Sequence, residues 1–125
     1  MTLRSFHADF AWVVVLTSAL VGGWALAAHR YAAVRSRWLW PATIAAEVIV
    51  LAQVGIGSAL VAIDHYKVSS FHALYGFSAF ASVGILYSYR DQMKGRLYLL
   101  YGLGGLWIMG LALRAITVSP VPPKP

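Results

Sequence analysis

Four apolar runs dominate this chain, each about the length that crosses a bilayer as a helix, with only short polar stretches between them. They fall at about residues 8–28, 41–63, 70–89 and 97–116. Charged residues make up 11% of the 125 positions, mean hydropathy is +0.70, and a soluble domain carries roughly a quarter charged residues. Such a surface cannot be covered for water. The sequence therefore predicts an all-α integral membrane protein: an antiparallel bundle of four transmembrane helices over residues 1–118, followed by a flexible proline-rich tail over 119–125. The first run is longer, and its lead less basic, than a signal peptide, so it is expected to be a retained span.

Basic residues set the orientation. Arg30, Arg35, Arg37, Arg90, Lys94 and Arg96 fall in the first and third connections, while Arg4, Lys67, Arg114 and Lys124 fall on the other side. The positive-inside rule puts the first group in the cytoplasm and both termini outside, as in a bacterial inner (plasma) membrane. The net charge of +6 is thereby explained by topology, without nucleic acid as a partner. Cysteine is absent, which excludes thiol redox chemistry, cysteine-ligated zinc, iron–sulfur clusters and disulfides, and with them the quinone-linked disulfide-forming membrane enzymes.

Polar residues are scarce, so their placement carries weight. His7 and Asp9 open the first span, Asp64 and His65 close the second, His72 opens the third, and Arg114 lies near the end of the fourth. In a four-span topology all six meet near the outer rim. Ser69 or Ser70 is placed to cap the third span. Deeper positions hold Glu47 and Gln53, with Tyr75 one turn from His72. Eighteen residues, five turns, separate Glu47 from His65, which predicts one helical stripe carrying both. Small residues, Gly22 and Gly23 in the first span and Gly102, Gly105 and Ala112 in the last, predict close helix packing or association with further membrane subunits or copies of the chain.

Several chemistries fit this distribution. Two imidazoles from different helices can hold a b-type haem axially, with His72 the leading ligand, His65 or His7 its partner, and Gly57 or Gly76 leaving space. His7, Asp9, Asp64, His65 and His72 together would suit zinc or copper. His72, Tyr75 and Glu47 could serve proton or quinone handling, because ionisable groups within a membrane point to function. Against these stands a structural reading: Glu47 paired with Arg35, Arg37 or Arg96, Asp64 with Lys67 or Arg114, Gln53 as an interhelical hydrogen bond, and Tyr87, Tyr89, Tyr98 and Tyr101 as an interfacial belt.

In span count and in histidines near helix ends, the chain resembles four-helix b-type cytochromes, a likeness of architecture that covers no specific string. Small multidrug transporters share its size, but their membrane glutamate lies in the first span and Glu47 lies in the second. The expectation is a small non-catalytic membrane subunit of an energy-transducing or electron-transfer complex in the respiratory style, in contact with lipid, other subunits and a quinone. Its alternatives are a proton-coupled transporter or channel built on Glu47, and an outer-side metal-binding assembly factor.

Overall fold

The computed structural model describes residues 2–65 and 67–118; the predicted tail over 119–125 lies outside them. The described residues form four long helices and no strand: α1 (Leu3–Arg30), α2 (Leu39–Ala62), α3 (Ser70–Ser88) and α4 (Leu97–Thr117), with short 3-10 turns at Ala32–Val34 and Lys94–Arg96. The predicted runs at 8–28, 41–63, 70–89 and 97–116 each coincide with one helix, and α1 extends five residues further toward the N-terminus.

Local chemistry sets the helix starts. Thr2 and Ser5 form a reciprocal capping box on α1, each hydroxyl accepting from the other's backbone N–H at 3.1 Å. Ser69 caps α3 by accepting from His72 N at 3.0 Å. The same hydroxyl donates to Val118 O at 2.8 Å, tying the start of α3 to the end of α4. Within the helices, hydroxyls turn back on their own backbone: Thr17 on Val13 O, Thr43 on Leu39 O, Ser58 on Val54 O, Ser82 on Ser78 O and Ser88 on Gly84 O. That pairing lets polar side chains sit in apolar surroundings without a lost hydrogen bond.

The helices are not equally close. α1 and α4 form the most extensive interface, α2 lies on α1, α3 lies on α4, and α2 and α3 meet at few points although they are consecutive. The α1–α4 contact is backbone on backbone. A Cβ on Gly105 would stand 2.8 Å from Gly22 Cα, and one on Gly102 would stand 2.8 Å from Leu26 N. On the other flank of α4, Gly104 leaves the room that the Leu86 side chain of α3 fills. The main core gathers Val14, Val50, Val83, Leu86, Ile108 and Leu111, and a second cluster of Ala25, Ala28 and Leu39 lies toward the basic connections.

Three helical stretches, Leu3–Arg30, Leu39–Ala62 and Lys94–Thr117, are long and apolar enough to cross a membrane. α3 falls outside that set: it has 19 residues, among them His72, Tyr75, Tyr87 and four serines. The outward faces remain strongly apolar. Leu20 is 72% exposed, Phe77 66% and Ile44 64%, which suits lipid and not water.

Candidate functional site

Two histidines far apart in sequence meet at one end of the bundle. His7, in the second turn of α1, and His72, in the first turn of α3, have ring centres 6.3 Å apart at an interplanar angle of 76°. Both are partly buried. The cap at Ser69 fixes the backbone of His72, and its Nδ1 lies 2.7 Å from Ala115 O of α4. A carbonyl only accepts, so Nδ1 carries a proton, and in the neutral imidazole that tautomer keeps the lone pair on Nε2.

On the other side, α2 holds His7 in place. Gln53 Nε2 donates to the His7 carbonyl at 2.7 Å. Gly57, one turn further along α2, passes beneath the imidazole, and a Cβ there would stand 3.0 Å from His7 Cε1. Gln53 Oε1 and His7 Nδ1 are both buried without a hydrogen-bond partner. Beside the His72 ring, Gly76 faces open space, with no atom within 4 Å of where its Cβ would be.

Apart from Gln53, the other residues singled out from the sequence do not join this pair. Asp9 is two residues beyond His7, about 200° round the helix, and is exposed. The stripe that was to carry Glu47 and His65 together ends early: α2 stops at Ala62, and His65 stands beyond it, exposed, with φ 56°. Asp64 is exposed as well. Among the described residues, no three of His, Asp and Glu gather as a metal-binding group; of His7, Asp9, Asp64, His65 and His72, the structure brings His7 and His72 together. Tyr75, one turn past His72, packs against the main core with the Arg114 guanidinium 5.4 Å from its ring centre.

Glu47 belongs to the other end. It lines a cavity of about 400 Å³ with Trp40, Ile44, Tyr87, Arg90 and Tyr101. It also borders a void of about 20 Å³ reaching Ser18 and Gly22. Two of the three arginines expected to pair with it are engaged elsewhere: Arg35 donates to Ala28 O at 2.7 Å and lies over Tyr98, and Arg37 lies over Trp38. Glu47 has no hydrogen bond or ion pair among the described residues. The predicted aromatic belt is partly a stack, with Trp40 5.2 Å from Tyr98 and 6.0 Å from Tyr101. What the sequence reading missed is that these rings and Glu47 share one cavity. The Ala115 carbonyl was missed too, because a backbone acceptor leaves no signal in side-chain identity.

Compared with protein-family models, curated proteins and solved structures, the chain finds no match.

Proposed function

We propose that this chain is a small, non-catalytic integral membrane subunit of an electron-transfer assembly, and that His7 and His72 would hold a b-type haem. The carrying observation is the pair itself: two imidazoles on different helices, 6.3 Å between centres, one with its Nδ1 proton held by a backbone carbonyl. An imidazole centre lies about 3 Å from an ion bound at its nitrogen, so two rings on opposite sides of one ion have centres roughly 6 Å apart. Holding one ring nitrogen by a hydrogen bond is also how proteins orient a ligating histidine.

The donor set favours haem over a bare ion. A structural zinc site takes four protein ligands, whereas a porphyrin brings four nitrogens and asks the protein for two axial ones. The orphaned atoms at His7 Nδ1 and Gln53 Oε1 add to the case, since a hydrogen bond between them would satisfy both and leave His7 Nε2 to ligate. Gly57 keeps bulk away from the His7 ring. Bound there, haem would supply one-electron chemistry, and the chain would orient the two imidazoles.

In this reading the chain crosses a bacterial inner membrane four times, α3 included, with the basic connections in the cytoplasm and the histidine end outside. Two of the four serines of α3, Ser82 and Ser88, bond back to the helix and the His72 ring meets Ala115 O of α4, which supports a crossing by α3 despite its polar residues.

The test is spectroscopic. The full chain, produced with haem supply and purified in mild detergent, is expected to show a Soret band that disappears in His72→Ala and in His7→Ala while helical circular dichroism persists. A colourless preparation, or a band that survives both substitutions, overturns the assignment. Because the chain lacks cysteine, topology can be read separately. Ser5→Cys and Val68→Cys are expected to label from the periplasmic side and Ser36→Cys only after permeabilisation.

A further inference from the structure

Apart from the histidine pair, the largest unexplained feature is the cavity of about 400 Å³ at the opposite end of the α2–α3 gap. Its walls come from α2 (Trp40, Ile44, Glu47), the end of α3 (Tyr87), the connection (Arg90) and α4 (Tyr101). The size falls within the roughly 300–1,000 Å³ of small-molecule sites, and the lining has the usual mix of apolar surface and a few polar groups. We propose that this cavity binds the ring of a p-quinol or p-quinone from the lipid phase, with the Glu47 carboxylate accepting a hydrogen bond from a quinol hydroxyl.

Access comes first. Ile44 is 64% exposed and Tyr87 59%, so two of the lining residues also present apolar surface on the outside of the bundle, where a membrane protein of this form meets acyl chains. α2 and α3 touch at few points, and a flat amphiphile can enter between them without parting a packed seam. A ligand that lives in the bilayer core, and not one arriving from water, is the natural visitor.

The chemistry of the walls narrows the ligand. Trp40 and Tyr101 meet edge to face at 6.0 Å, and Tyr87 is braced by Arg90, whose Cζ sits 3.8 Å from its ring centre and whose Nη1 donates to its carbonyl at 3.0 Å. Such surfaces favour a planar aromatic guest. Glu47 lies seven residues from Trp40 along α2, about 10 Å deeper, and has no hydrogen bond or ion pair among the described residues. A carboxylate there asks for a hydroxyl donor. Glu47 and Asp91 both line the cavity and oppose a phosphate headgroup, although Arg90 and Lys94 stand at its polar end. A neutral hydroxylated ring satisfies Glu47 and repels neither carboxylate.

This site is separate from the histidine pair. Ten residues of α2 separate Glu47 from Gly57, about 15 Å along the helix axis. Its test therefore does not depend on haem. Duroquinol and duroquinone are titrated anaerobically into the detergent-purified full chain, followed by calorimetry. The expected result is saturable binding of both forms, with quinol affinity falling about tenfold in Glu47→Leu and quinone affinity changing much less, since only the hydroxyl loses a charged acceptor. Ile44→Trp, which fills the mouth from an exposed position, is expected to abolish both. His72→Ala is expected to leave both unchanged, so a failed haem assignment and a failed quinol site give different results. Absence of saturable binding overturns the proposal. So does quinol binding that ignores both Glu47→Leu and Ile44→Trp, or phospholipid that co-purifies and is released by Arg90→Gln with no quinol effect of Glu47→Leu.

Discussion

The α1–α4 and α2–α3 interfaces are built on opposite principles. Along α1–α4, Gly22, Gly102 and Gly105 bring main chains together so closely that added methyl groups would overlap backbone atoms. Between α2 and α3 the helices barely meet, and what lies along the gap is polar or hollow: His7, His72 and Gln53 at one end, Glu47 and a cavity at the other. Helix association in lipid draws on close packing, because acyl chains solvate apolar side chains as well as a neighbouring helix does. One seam can therefore hold the bundle and leave the other free to receive guests.

The most damaging change should fall on the tight seam. Gly105→Val is expected to cost about 3 kcal/mol, read as a lower unfolding midpoint in detergent or bicelles, because Gly22 Cα cannot retreat. Next comes Gln53→Leu, which removes the bond to His7 O across α1–α2 and is expected to cost about 1 kcal/mol in the same assay. Ser82→Ala takes away the acceptor for Trp107 Nε1, 3.0 Å away, and is expected to cost about 0.6 kcal/mol. Least affected should be Gly55→Ala: nothing lies within 4 Å of the added methyl, and a change within about 0.5 kcal/mol is expected. If Gly55→Ala destabilised the protein as much as Gly105→Val does, the contrast between the interfaces would collapse.

Helix number and approximate extent could be read from the sequence because apolar runs and short connections dictate them together. The glycine seam was readable in part. Gly22, Gly102 and Gly105 announced close packing, but Gly104 holds Leu86 on another flank, and only the helix arrangement separates those roles. His7 and His72 were brought together by topology alone. His65 misled because periodicity was carried past Ala62, where the chain leaves the helix. The cavity was invisible for a different reason. Trp40, Glu47, Tyr87 and Tyr101 lie on three helices, and a gap between helices has no periodic trace in any one of them.

Both histidines are anchored through their main chains. Gln53 grips the carbonyl of His7, and Ser69 receives the amide of His72; neither bond needs an imidazole. Deleting the His7 ring leaves the Gln53 bond in place, and deleting the His72 ring loses its bond to Ala115 O but keeps Ser69 bound to Val118 O, so pigment lost with helicity retained would report coordination chemistry and not collapse of the scaffold.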